Sequence, residues 1–510
     1  MLSKVVSAAV LGVDAYRVDV EVDVARALPS FTVVGLPDNA VKESKDRVRA
    51  AIKNSGYPFP PHRLTVNLAP ADVKKEGASF DLPMALAILA SDATLGLRGL
   101  DDLLVLGELS LDGSVRAVRG ALPIAAEARR LGASSVLVPR ENVAEASVVP
   151  DIGVFAADTL AQVVEGLRGD GLAPARVVAN RLEEGPVEPD ADFRDVRGQA
   201  HAKRALEIAA AGGHNVLMVG PPGSGKTMLA GRLSTILPEM TWEETLETSR
   251  IYSVMGLRDG AGPIVTRRPF RAPHHTISDA GLIGGGTVPR CGEISLAHNG
   301  VLFLDELPEF KKHVLEVLRQ PLEEGAVTIA RAASSLTFPA RFTLIAAMNP
   351  CPCGYYGDPH HACLCTPPAL RKYRSRVSGP LLDRLDLHVD VPALRYREME
   401  AGGDEEPSAA VRERVARARR RQAERYRGEP YRCNGQLTAR GVRRHCRPST
   451  EAGALLEHAM DRLGLSGRAY ARVLKVARTI ADLDGSEGPS RAHVLEALQY
   501  RRSPPSDRAP

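Results

Sequence analysis

Gly220-Pro221-Pro222-Gly223-Ser224-Gly225-Lys226-Thr227 decides the reading of this 510-residue chain. Before it, His214-Asn215-Val216-Leu217-Met218-Val219 is a short apolar run of the kind that forms a buried strand. After it, Met228-Leu229-Ala230-Gly231-Arg232-Leu233 carries helical spacing. Strand, glycine loop and helix are the context a phosphate-binding loop requires. Without side chains at Gly223 and Gly225, the backbone can fold into a nest of N–H donors around a triphosphate, and the helix N-terminus adds partial positive charge. Lys226 is then placed to reach the β- and γ-phosphates, and the Thr227 hydroxyl to ligate Mg²⁺. The expected ligand is a nucleoside triphosphate with Mg²⁺.

The rest of the chain bounds this reading. At 44% hydrophobic and 25% charged residues the composition is that of a soluble globular protein with two to four domains. A formal net charge of +4 does not by itself argue for nucleic acid. No apolar run is long enough to span a bilayer, so no membrane partner is expected. Met1-Leu2-Ser3-Lys4-Val5 lacks a signal-peptide pattern, and the expected location is cytoplasmic. Four of the seven cysteines fall between positions 351 and 365, a clustering that favours metal over disulfides in such a compartment.

Residues 1–175 read as an α/β domain. Val18, Val20, Val22 and Val24 alternate with Asp19, Glu21 and Asp23, the period of a half-buried strand. Phe31 to Val34 and Leu64 to Leu68 suggest further strands, and Val41 to Ser55 an amphipathic helix ended by Gly56. Leu103 to Val118 is expected as a hairpin turning at Asp112-Gly113. Lys75-Glu76-Gly77-Ala78-Ser79, Gly107-Glu108-Leu109-Ser110 and Val136-Leu137-Val138-Pro139 resemble the proteolytic domain of Lon proteases, a ribosomal-S5-domain-2-like fold. The resemblance places Ser79 at the nucleophile position. The stretch Val118-Arg119-Gly120-Ala121-Leu122-Pro123, where Lon carries its lysine base, has none, and a guanidinium stays protonated. Asp81 also stands where Lon has glycine. An unactivated serine is a weak nucleophile, so the domain is expected to be proteolytically silent, with a structural or oligomerisation role.

Residues 176–197, acidic and proline-bearing, are the expected linker. From 198 to 392 lies the expected P-loop core, a parallel sheet flanked by helices. Val301-Leu302-Phe303-Leu304 ends in Asp305, suited to the Mg²⁺ shell, and Glu306, suited to deprotonating the attacking water. Leu344 to Met348 is a second buried strand with Asn349 at its tip, suited to a sensor of the γ-phosphate. Ser378-Gly379-Pro380-Leu381-Leu382-Asp383-Arg384-Leu385-Asp386-Leu387 resembles the arginine-finger segment of MCM helicases and magnesium chelatases, which assigns Arg384 that role. Together these resemble AAA+ ATPases, which work as rings. Arg268 to His275 with Gly284-Gly285-Gly286, and a hairpin read over Glu323 to Phe342, resemble the two inserts of the chelatase and MCM clade. The His274–His275 pair admits a metal reading, but adjacent loop histidines seldom chelate together, and a pore-facing role or packing within the helix insert is preferred.

Cys351-Pro352-Cys353 and Cys363-Leu364-Cys365, with His360 and His361 between, form two close thiol pairs that suit tetrahedral Zn²⁺ in a structural site, the alternative being four free thiols. Residues 393–503 read as a helical lid domain, and 504–510 as a disordered tail. Arg412, Arg414, Arg417, Arg419, Arg420, Arg421, Arg425 and Arg427 crowd one expected helix. They make either a solvated basic face or a phosphate-tracking surface. Leu465 to Lys475 resembles the clade's lid helix, which makes Arg468 a second sensor.

The Lon-like domain, chelatase-type core, C-x-C pairs and helical lid, in this order, resemble the YifB/ComM family over nearly the whole chain. That resemblance implies a hexameric, ATP-driven DNA helicase or branch-migration motor. It would act on single-stranded or branched DNA in uptake, transformation or recombination. The competing readings are a metal-insertion motor subunit of the chelatase type and an ATP-dependent protease or unfoldase.

Overall fold

A computed structural model describes residues 2–169, 171–175, 191–257, 262–286, 289–331, 334–358, 361–393 and 405–501. Most of the expected linker, the 504–510 tail and His360 lie outside them. The chain divides into two compact units, Met1–Gly185 with Trp242–Val265, and Pro186–Thr241 with Thr266–Pro510.

The first unit is built on a seven-stranded mixed sheet. Its strands are β1 (Leu2–Leu11), β2 (Asp14–Ala25), β3 (Ser30–Val34), β4 (Arg63–Ala69), β5 (Leu103–Val105), β8 (Ser135–Pro139) and β9 (Gly153–Ala157), in the order β3-β4-β2-β1-β5-β8-β9. The valine alternation in β2 does what its period dictates: Val18, Val20 and Val22 are fully buried, while their acidic neighbours face away. The amphipathic helix runs over Asn39–Asn54, capped by the Asp38 carboxylate accepting from Val41 N–H. The expected long hairpin is shorter. Leu103–Val105 joins the large sheet between β1 and β8, in parallel with both, and only β6 (Glu108–Leu109) and β7 (Val115–Arg116) pair across Asp112-Gly113. All three residues of β5 are buried, and a strand buried on both faces belongs inside a parallel sheet rather than in an exposed ribbon.

The second unit carries a five-stranded parallel sheet. Its strands are β10 (Val216–Val219), β11 (Phe270–Arg271), β14 (Val301–Leu304), β17 (Thr343–Met348) and β18 (Leu387–Asp390), in the order β11-β14-β17-β10-β18. Strands β10, β14 and β17 are buried at every position, as continuous apolar runs between helical layers should be. A short pair, β12 (Gly284–Gly285) with β13 (Arg290–Cys291), and a hairpin, β15 (Ala326–Arg331) with β16 (Ser334–Pro339), stand in the two stretches expected as inserts. The helices Ala200–Gly212, Lys226–Ile236, Ser408–Arg425, Gly467–Leu483 and Arg491–Gln499 contribute to one apolar core with the sheet. Phe193 and Val196, at the end of the stretch expected as linker, are buried in that same core, so the described part of this stretch packs with the sheet.

One finding concerns a segment that pattern alone assigned elsewhere. The helix Trp242–Met255 belongs to the first unit. Gly120 N–H donates to Ser253 O at 3.1 Å, Leu246 packs on the apolar cluster around Ile124, and Arg119 lies against Gly256. It covers the stretch where a Lon base would stand. In the same unit, Asp81 opens the helix Asp81–Ala90, fully buried, and accepts from Arg47 Nε at 2.8 Å. Burial raises its pKa, opposed by that arginine.

Candidate active site

The site forms at the C-terminal ends of β10, β14 and β17, where an open parallel sheet leaves a crevice. Gly223 and Gly225 take φ of +75° and +88°, a region that costs a side-chain-bearing residue about 1 kcal/mol or more. Gly225 precedes the helix Lys226–Ile236, so its first N–H groups face the loop.

Lys226 is 8% exposed, and its ammonium donates to Gly220 O and Pro221 O, both at 2.8 Å, and to Asn349 Oδ1 at 3.3 Å. Its three hydrogen-bond acceptors are neutral oxygens, and burial lowers its pKa against the pull of the Asp305 carboxylate. Ser224 Oγ is buried with no hydrogen-bond partner among the described residues. An underpaired cation and an orphaned hydroxyl in a glycine nest fit a polyphosphate. Thr227 Oγ1 donates to Asp305 Oδ2 at 2.7 Å, so the hydroxyl and carboxylate suited to Mg²⁺ already meet. Glu306 follows with φ of +52°, a strained position for a glutamate, and its backbone N–H donates to Asp305 Oδ1.

His275 is the residue the sequence reading assigned differently. Its Nδ1 lies 3.1 Å from Glu306 Oε2, and its ring meets Phe310 edge-on. His274 lies tilted against it, ring centroids 4.1 Å apart, and bonds the Thr276 hydroxyl, so the two imidazoles serve different partners and do not converge on a metal. The parallel pairing of β11 with β14 brings His275 beside Glu306, a register that no local pattern announces.

The remaining expected residues are placed apart from this cluster. Arg384 is buried, its guanidinium paired with Glu323 at the end of the helix Arg319–Glu324, and its carbonyl accepts from Asn215 Nδ2 and Arg472 Nη1. Arg468 is exposed in the first turn of the helix Gly467–Leu483. The basic helix Ser408–Arg425 divides its arginines. Arg414 pairs with Glu207 and Glu406, Arg419 donates to Ala210 O, and Arg425 pairs with the buried Asp482. Arg417, Arg420, Arg421 and Arg427 are exposed.

Beyond Asn349, the four cysteine sulfurs converge, all within 4.8 Å of one another. Cys351 is fully buried and accepts from Tyr356 N–H at 3.3 Å. The four Sγ atoms are a donor set able to hold a metal ion. All seven cysteines are free thiols.

A glycine nest, a buried lysine, a Thr–Asp pair and an adjacent glutamate on a parallel sheet with a helical lid define an ATPase of the AAA+ class. Comparison with known proteins agrees. The family described as "Magnesium chelatase, subunit ChlI" matches residues 192–399, "Subunit ChlI of Mg-chelatase" residues 20–142, and "Magnesium chelatase, subunit ChlI C-terminal" residues 405–501. Competence protein ComM of Haemophilus influenzae is 46% identical over 503 residues, 98% of this chain and 97% of that protein. The uncharacterized protein YifB of Salmonella typhimurium is 45% identical over 499 residues, 97% of this chain and 96% of its own length. A Lon protease of Chloroflexus aurantiacus is 29% identical over 157 residues, 28% of this chain and 19% of that protein. The chain belongs to the YifB/ComM family, with a magnesium-chelatase-like core.

Proposed function

We propose that this protein is a ring-forming ATP hydrolase that drives movement along single-stranded or branched DNA, a helicase or branch-migration motor serving DNA uptake, transformation or recombination in the cytoplasm. The observation that carries the hydrolase reading is the meeting of Lys226, Asn349, Thr227 and Asp305 at one end of the sheet, with Glu306 beside them. Lys226 exchanges neutral carbonyls for a phosphate oxygen. Thr227 and Asp305 hold Mg²⁺, which when bound offsets charge on the β- and γ-phosphates. Asn349 orients the attacking water and Glu306 takes its proton, once its carboxylate turns from His275. Arg384 acts in a neighbouring subunit's site after leaving Glu323, and Arg468 serves as the second sensor. The rings are hexamers. The four cysteines hold one structural Zn²⁺, since four thiolates leave no open position.

The DNA reading is supported by Arg417, Arg420 and Arg421, exposed on the helix Ser408–Arg425, by Arg427 exposed just past its end, and by a relative named a competence protein. Arginines that neutralise phosphates give binding that falls steeply with salt. The test is ATP hydrolysis with and without branched DNA, and binding as a function of salt, for wild type and the Arg417→Glu, Arg420→Glu, Arg421→Glu triple variant. The expected result is DNA-stimulated turnover in the wild type, with weaker binding and unchanged basal hydrolysis in the variant. Turnover indifferent to DNA would refute the motor reading, and unchanged affinity in the variant would move the DNA surface off this helix.

A further inference from the structure

The cysteine cluster occupies a segment that begins at the sensor residue and lies against the phosphate loop. Gly220 N–H donates to Met348 O at 3.2 Å, which ties the start of the phosphate loop to the last residue of β17. Asn349 follows, bonded to Lys226, and Cys351 is two residues further on. Gly354 then turns with φ of +88°, its N–H donating to Cys351 O at 3.0 Å. A Cβ there would stand 2.5 Å from Pro222 Cδ and 2.8 Å from Pro222 Cγ, so the backbone between the two thiol pairs rests directly on the wall of the phosphate loop. After Cys365, Thr366 caps the helix Pro367–Arg374. Its Tyr373 is buried beside the Asn349 backbone, and its Arg374 lies 5.3 Å over the ring of Tyr356.

Apart from short-range contacts such as His361 N–H donating to Asp358 Oδ1, the described residues of this segment bury little. Leu364 is 88% exposed, and the one fully buried side chain among the four thiols is Cys351. A loop with so little buried apolar surface among its described residues is ordered by cross-linking. We propose that metal at the four cysteines is a positioning element of the nucleotide site. It holds Gly354 against Pro222 and Asn349 within reach of Lys226, so that nucleotide affinity depends on metal occupancy. This rests on the reading of the cysteines as a zinc site, and adds that the same centre sets how well the phosphate loop receives its ligand. Partners one shell away from a reacting site change its affinity by roughly tenfold to a hundredfold, and a loss of about tenfold in ADP affinity is expected here.

The test uses the full-length protein and ADP, so that binding is read without turnover. Zinc content is measured by elemental analysis, and tetrathiolate coordination by the absorption of Co²⁺-loaded protein. ADP affinity is then measured on protein as isolated, after a zinc-selective chelator in excess Mg²⁺, and after zinc is returned, with circular dichroism to show that the fold survives. Cys363→Ser is expected to lose both zinc and about tenfold in ADP affinity. Gly354→Ala keeps all four thiols and is expected to retain zinc while losing ADP affinity, because the added methyl pushes against Pro222. Zinc present in the wild type, with ADP affinity unchanged on its removal, overturns the inference and leaves the zinc reading standing. Gly354→Ala binding ADP as tightly as wild type overturns it also. Neither zinc nor cobalt binding refutes the zinc reading and the inference together.

Discussion

Replacing Lys226 and Glu306 separately should divide binding from chemistry. The Lys226 ammonium is nearly excluded from solvent and donates to three neutral oxygens, the Asp305 carboxylate acting on it from further off. A phosphate oxygen that replaces one of them supplies a charge-assisted hydrogen bond, worth about 1.5–3 kcal/mol. Lys226→Ala removes that bond, and at about 1.4 kcal/mol per factor of ten nucleotide affinity should fall roughly tenfold to a hundredfold, with turnover lost alongside it. Glu306 differs: its side chain is largely exposed and contacts His275. Glu306→Gln keeps its shape but provides no base for the water's proton, so turnover should fall by about 10²–10⁴, with nucleotide affinity near that of the wild type. A fluorescent ATP analogue gives the affinities, and phosphate release in single turnover gives the chemical step. Equal affinity in the two variants, or a Glu306→Gln protein that turns over at the wild-type rate, would refute the assignment.

Two further outcomes test other parts of the site. Mixing Glu306→Gln with Arg384→Ala, each inactive alone, should restore part of the ATPase activity, because some interfaces of a mixed ring pair an intact Glu306 with a neighbour's intact Arg384. Wild-type hydrolysis by Arg384→Ala alone would show that the finger is another residue. On β18, burial and then the nearby Arg501 push the His388 imidazole down from 6.5 to about 4. The unfolded chain therefore binds the proton first. The stability this residue contributes is whole above pH 6.5 and declines as pH falls toward 4, by up to about 3 kcal/mol. Thermal melts across that window should fall more steeply for wild type than for His388→Gln, and parallel curves would contradict the burial argument.

The sequence by itself determined the chemistry that depends on residue type at short spacing. The glycine loop with Lys226 and Thr227, the apolar run ending in Asp305 and Glu306, and the two thiol pairs could each be read because their parts are adjacent in the chain. A buried parallel strand also needs only a continuous apolar run, so β10, β14 and β17 were legible to within a residue or two. Tertiary structure decided what depends on register and burial. Leu103–Val105 looked like one arm of a hairpin, because periodicity cannot say which neighbour a fully buried strand takes. The helix Trp242–Met255 sat among ATPase residues in the chain, yet its buried face belongs to the core of the first unit, a choice made by contacts far away in sequence. The arginines of Ser408–Arg425 were equivalent as letters. Which of them turn inward to Glu207, Ala210 and Asp482, and which stay in solvent, followed only from the packing of that helix. His275 reaches Glu306, and Gly354 reaches Pro222, for the same reason: parallel pairing brings the ends of strands together across dozens of residues, and local pattern carries no record of that distance.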